Sequence, residues 1–318
     1  MTRVLVTGAN GCIGAWVVRD LVTRGVDVIA GDIGSDTHRL DLVMDGESRD
    51  RVVHMTNDVT DLAALERLID VEEVTNIVHL AALQVPFCRD DPPLGAHVNV
   101  VGTVNVFEAV ARRLDRMGPV VYASSIAAYD AIDLGEEPAM SGVPGTIYGV
   151  YKRANEGTAT VYHAERGVPS VGLRPHTVYG VGRDQGLTSA PTQAMLAAAA
   201  GLPFRIPYGG RSQFQYAPDV ARAFVQAAFS GHDGASVLNL AGQVLSMQQV
   251  VEAIEAAVPD AAGQVTFDDA TLPFPEAVDA AELAQTIGPV DELPFADGVA
   301  DAVDRFRRLL ADGRLAAA

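Results

Sequence analysis

Short apolar runs punctuate the first half of the chain: RVLVT at 3–7, VDVIAGD at 26–32, NIVHLAA at 76–82, PVVYASS at 119–125 and VPSVGLRP at 168–175. Each has strand length and is rich in Val, Ile and Leu, as strands buried on both faces of a sheet must be. Between them, apolar residues recur at three- and four-residue spacing, which predicts helices over about 12–24, 61–70, 96–115 and 148–166. Strand and helix in alternation build right-handed βαβ units around a parallel sheet. The fold class this predicts is α/β, doubly wound.

Past Pro175 the alternation fades into segments rich in Gly, Pro and Arg, and helical spacing returns only near 190–200, 218–230 and 246–257. The last of these opens with Ser246 and has Gln249 three positions on, the reciprocal pair of a capping box. Residues 1–175 are expected to form the main domain and 176–318 a smaller C-terminal substrate-binding subdomain over the sheet's carboxyl edge, with some interleaving of segments. From Pro259 to Asp304 there are 11 acidic residues and no basic one, which reads as a solvated, mobile face.

Composition narrows the partners. With 318 residues, 48% hydrophobic and 20% charged, the chain can bury a sizeable core. A formal charge of -18 repels nucleic-acid backbones and anionic lipid, so a small molecule is the expected partner. Cys12 and Cys88 lie in unrelated contexts and define no disulfide framework. No charged leader with an apolar segment follows Met1 and no 18 apolar residues run together, so a cytoplasmic protein without a membrane partner is expected. The seven histidines show no metal-ligand spacing, and no metal is expected.

The segment VLVTGANGCIGAWVV sets Gly8, Gly11 and Gly14 between the first strand and the first helix. There the backbone must turn sharply, approach a pyrophosphate with no Cβ in the way and let the helix pack on the strand, while the helix amino terminus offers free N–H groups to phosphate. The doubly wound sheet is thus expected to be of Rossmann type. Eighteen residues past Gly14, Asp32 ends the second strand, where a carboxylate accepts the two ribose hydroxyls of an adenosine and repels a 2′-phosphate. With Arg39 seven residues further on, NAD is favoured over NADP.

The only lysine of the chain, Lys152, stands four residues after Tyr148 on a predicted helix, which stacks the two side chains on one face. An ammonium about 4 Å from a phenol contributes roughly 4 kcal/mol, about three pKa units, at an effective dielectric of about 20. Tyr148 is therefore expected to titrate in a range useful for a general acid or base. Ser124 and Ser125 fall at a strand's carboxyl end, where a hydroxyl can hold a substrate oxygen.

TGANGCIG, Asp32, NDV at 57–59, HLAA at 79–82, HVNVVGT at 97–103, YASS at 122–125 and YGVYK at 148–152 together resemble the extended short-chain dehydrogenase/reductases, of the NAD-dependent epimerase/dehydratase type, over about residues 3–240. The resemblance implies cofactor contacts from Asn10, Cys12 and Ile13 beside the three glycines, from Asp58 and Val59 at the adenine, and from Leu80, Ala81 and Ala82. It implies that Asn99 supports the active-site water or helix geometry, that Lys152 bonds the nicotinamide ribose, and that Ser125 rather than Ser124 is the catalytic serine. It also implies a homodimer formed through the two long central helices.

Departures from the family pattern narrow the reaction. Ser125-Ile126-Ala127 offers no carboxylate where the dehydratases carry one, which disfavours elimination. Thr177 in LRPHTVYG replaces an asparagine that holds a diphosphate, and Arg211 is displaced by one residue from the usual arginine. Gln84, Phe87, Ser125, His176, Thr177, Arg183, Arg211 and Gln213 are the candidate substrate contacts. The leading expectation is NAD-dependent oxidation of a secondary hydroxyl in a small polar, sugar-derived substrate. The alternatives are a sugar epimerase and a non-catalytic NAD-binding protein.

Overall fold

The computed structural model describes residues 2–130 and 139–316. Its strands are β1 (Arg3–Thr7), β2 (Asp27–Asp32), β3 (Val52–Thr56), β4 (Asn76–His79), β5 (Val120–Ala123), β6 (Ser170–Arg174), β7 (Thr177–Tyr179), β8 (Phe204–Ile206), β9 (Arg211–Tyr216), β10 (Ala235–Asn239), β11 (Gln243–Ser246) and β12 (Val265–Phe267). Seven of them make one parallel sheet in the order β10-β6-β5-β4-β1-β2-β3. The sequence reverses direction across the sheet between β1 and β4, and a crevice opens at the strands' carboxyl ends there.

Alternation along the strands sends Val4 and Val6 to one face and Leu5 to the other, into two separate clusters. One cluster packs the sheet against helices Cys12–Thr23 and Ala217–Ala228, the other against Leu62–Val71, Gly102–Ala111 and Ile147–Arg166. Both edge strands escape the apolar-run reading. β3 lies on an edge with only Val52 buried, and its Val53 and His54 are exposed. β10 comes from residues 235–239, after the chain has already built part of the cap, and joins the sheet beside β6.

The cap holds the antiparallel pair β11-β9 with β7 alongside, and the pair β12-β8. The Ser246–Gln249 capping box forms as predicted. The acidic stretch differs from expectation. Within it begins helix Phe295–Ala311, with Phe295, Val299, Ala302, Val303, Phe306 and Leu309 buried. Acidic residues occupy its outer face, so charge density concealed a helical period. The indole of Trp16, on the first helix, donates to Val181 O at 2.9 Å and ties the cap to the sheet layer.

A helical run over Pro92–Ala111 has the length and mean hydropathy, 1.2, of a membrane span. Its polar side chains bond within the fold: Asn99 to Leu83, Thr103 to His79 and Asn105 to Val59. Its Gly102, Val106, Phe107, Ala109 and Val110 are buried against the sheet layer.

Candidate functional site

The glycine loop has the tightness its role demands. Gly8 has φ +68, and a Cβ on it would meet Ala81 N at 2.6 Å; a Cβ on Gly14 would meet Gly8 O at 2.2 Å. The loop therefore lies flat on the end of β4 and lets the first helix start against β1. At the end of β2, Asp32 accepts from the Asn10 amide at 3.0 Å and the Gly34 amide at 3.2 Å, which fixes its carboxylate beside the loop. The Cys12 thiol is pushed up to about 11 by burial, so it lines the loop as a neutral filler.

A cavity of about 690 Å³ runs from this loop to the cap. Gly8, Asn10, Gly11, Cys12, Ile13, Gly14, Asp32, Asp58, Val59, Leu80, Ala81, Ala82, Tyr148 and Lys152 all line it. Asn57 lines it too, and its buried Oδ1 has no hydrogen-bond partner among the described residues. An orphaned acceptor beside Asp32 suits a donor brought by a ligand, as adenine would bring. The bare glycines, the opening helix turn, Asp32 and Asn57 together fit a dinucleotide. Arg39 also lines this end, but its guanidinium is taken by Asp184 at 2.8 Å and by Asn10 O at 3.1 Å.

The other end of the cavity is built by β5 and helix Ile147–Arg166. Ser125 caps the turn Ile126–Ala128, accepting from Ala127 N at 3.1 Å. Thr146 caps the long helix by accepting from Gly149 N at 3.0 Å. A Cβ on Gly149 would sit 2.0 Å from Ala127 O, so this glycine lets the helix dock on the serine turn. Tyr148 and Lys152 then face the cavity together, with the Lys152 ammonium 5.5 Å from the Tyr148 ring centre. Lys152 donates to Ala123 O at 2.8 Å, while Tyr151 turns away to bond Pro92 O.

The electrostatics correct the sequence expectation. Burial pushes the Tyr148 phenol up to about 12; the Ser125 hydrogen bond and the charge of Arg183 pull against it without winning. Burial also pulls Lys152 down, to about 8. Desolvation dominates both groups, and the cation that opposes it at the phenol is Arg183 rather than Lys152. Behind the site, Glu156 receives Ser124 and both arms of Arg174, each arm at 2.7 Å.

Gln84, Phe87, Ser125, His176, Thr177 and Arg183 line the cavity as expected of substrate contacts. Asn99 does not line the cavity, so it makes no cofactor contact from there; it lies in the π-helical segment His97–Val101, bonds Leu83 through both amide atoms and receives Asn155 of the long helix on its carbonyl, a place from which it supports helix geometry. Two candidate substrate contacts lie off the cavity. Arg211 is half exposed and paired with Glu276 at 3.4 Å, away from the cavity. Gln213 is buried between Leu240 O and Val278 N. Sequence reading missed Phe274, from the distant segment that crosses the cap, and Asn57, although NDV contains it.

The sequence pattern of the NAD dependent epimerase/dehydratase family matches residues 4–241. The chain belongs to this family. Among members of the epimerase/dehydratase family, UDP-glucose 4-epimerase of Mycolicibacterium smegmatis is 30% identical over 96% of this chain and 98% of its own. UDP-glucuronate 4-epimerase 2 of Arabidopsis thaliana is 32% identical over 56% of this chain, which spans 42% of that relative's length. The structure of the UDP-glucose 4-epimerase of Thermus thermophilus in complex with NAD superposes with a TM-score of 0.79 at 27% identity, covering 96% of this chain and 99% of that one. A partial consensus L-threonine 3-dehydrogenase superposes with a TM-score of 0.81 over 96% of this chain and 99% of its own; at 23% identity that likeness speaks for the fold. Membership places the chain among NAD-dependent enzymes.

Proposed function

We propose that the chain binds NAD along the glycine loop and Asp32, and that it oxidises and reduces a secondary alcohol of a small polar, sugar-derived substrate. The observation that carries this is the gathering of Ser125, Tyr148 and Lys152 at one end of the cavity whose other end is the glycine loop. Bound NAD supplies the hydride acceptor. Ser125 holds the substrate oxygen, and Tyr148 Oη exchanges the proton with it. Lys152, anchored on Ala123 O, keeps two N–H donors for a ribose. The family also contains dehydratases, but residues 125–127 supply no acid for elimination.

The second reading is a sugar epimerase, favoured by the 30% identity to a UDP-glucose 4-epimerase along nearly the whole chain. Incubation with NAD and candidate sugars separates the two. NADH accumulating in solution supports a dehydrogenase; epimer formation without net NADH supports the alternative. A homodimer through the helices ending at Ala111 and Arg166 is part of the proposal, supported by exposed Val101, Val150 and Val161. Sedimentation as a monomer at working concentration would refute that part. The free thiols Cys12 and Cys88 support a reducing, cytoplasmic setting.

A further inference from the structure

Among the described residues, three arginine or lysine side chains line the cavity: Arg39, Lys152 and Arg183. Arg39 is committed to Asp184 at 2.8 Å, and Lys152 to Ala123 O beside Tyr148. Arg183 is different. Among the described residues its guanidinium has no carboxylate partner; it donates to Thr188 Oγ1 at 3.0 Å, and its buried Nε has no acceptor at all. Burying a guanidinium group with an unmet donor costs free energy that a ligand anion recovers.

The local backbone keeps that place open. Gly186 has φ +96, and a Cβ on it would stand 3.2 Å from Arg183 Nη2 and 2.3 Å from Gln84 Oε1. The turn from Arg183 to Thr188 therefore folds its barest point against the two side chains. The charge of Arg183 lowers the pKa of both the Tyr148 phenol and the Cys12 thiol, which sets it between the Tyr148 end and the glycine loop.

The other candidate substrate contacts with basic side chains carry no free charge. Arg211 is neutralised by Glu276 outside the cavity. His176, which burial holds down to about 4, bonds Pro275 O at 2.6 Å and is neutral near pH 7. Val278 N bonds Gln213, so the stretch just after Phe274 is held at Pro275 and Val278, and the Phe274 ring lines the cavity. Among the described residues Arg183 is the one cavity-lining guanidinium without a carboxylate partner, and its planar fork is matched to one carboxylate.

We infer that the substrate is a small hydroxy acid whose single carboxylate pairs with the Arg183 fork, between Gln84 and Thr188, while its hydroxyl meets Ser125 and Tyr148. This rests on the NAD-dependent reading of the same site and names its substrate class. Planar two-point pairing is what arginine provides and lysine does not.

The test uses the full chain with NAD and four probe sets: aldonic acids, uronic acids, the matching neutral sugars, and UDP-glucose with UDP-glucuronate. NADH formation and epimer formation are both followed, and ligand binding to the NAD-loaded protein is measured by calorimetry. Turnover or binding of a free sugar acid is expected, with neutral sugars and UDP-sugars weaker. Arg183→Met should raise KM or Kd for the acid on the order of 10- to 100-fold, a larger factor than any change in NAD affinity, and Arg183→Lys should restore part of the loss. Preference for a neutral sugar or a UDP-sugar overturns the inference, as does Arg183→Met binding the acid like wild type. NAD-loaded protein that binds no member of the acid sets also overturns it. Failure to bind NAD at all would instead defeat the underlying reading.

Discussion

Replacing Glu156 by Gln probes the support beneath the reacting groups. The Glu156 and Arg174 side chains are 8% and 11% exposed, and the pair is two-pronged, at 2.7 Å on each arm. Gln keeps the volume and one acceptor but leaves the guanidinium without a counter-charge in a dry setting. Breaking one partner of a buried pair costs about 3–5 kcal/mol, and the retained acceptor places this change near about 3. For a chain of this size that corresponds to a fall in Tm of roughly 5–10 °C. Glu156 also receives Ser124, the neighbour of Ser125, and its charge favours the ammonium of Lys152, so turnover should fall as well. Scanning calorimetry of wild type, Glu156→Gln and the double variant Glu156→Gln with Arg174→Met checks the reasoning. The double variant should regain much of the lost Tm, because it removes the stranded charge. A single variant within about 1 °C of wild type, or a double variant no better than the single, would refute it.

Gly14→Ala places a Cβ against Gly8 O, where the clashing atom is backbone and cannot swing aside. Overpacking of about 1–3 kcal/mol should weaken NAD binding roughly 10- to 100-fold in a calorimetric titration, and unchanged affinity would contradict the loop assignment. His176 has an ordinary value of 6.5 and a folded value near 4. Below pH 6.5 the unfolded chain takes up a proton that the native histidine refuses, so stability present above 6.5 is lost as pH falls towards about 4. The Tm of wild type should thus drop more steeply across that window than that of His176→Gln, and parallel curves would count against a buried neutral histidine.

Much of this was legible in the sequence because it depends on local spacing. Gly8, Gly14 and Asp32 announce a loop whose geometry is set by a few consecutive residues, and Tyr148 and Lys152 meet because one helical turn brings them together. What stayed hidden depends on distance along the chain. Phe274 reaches the cavity through a crossing segment pinned by His176 and Gln213, and no periodicity links those positions. β3 and β10 escaped because an edge strand needs only one buried side or a mixed face. The phenol's behaviour escaped for another reason: spacing says that Tyr148 and Lys152 share a helix face but says nothing of desolvation, the largest influence on each. Asn99 shows the same limit, since its place in a π-helical segment turns it towards Leu83.

The central claim is that Tyr148 exchanges the substrate proton at a site where NAD binds independently of it. Turnover and NAD affinity of Tyr148→Phe, measured on the substrate found for the wild type, test this most directly. The account predicts kcat lower by about 100- to 10,000-fold with NAD affinity within a few-fold of wild type. Wild-type turnover in the variant would contradict it.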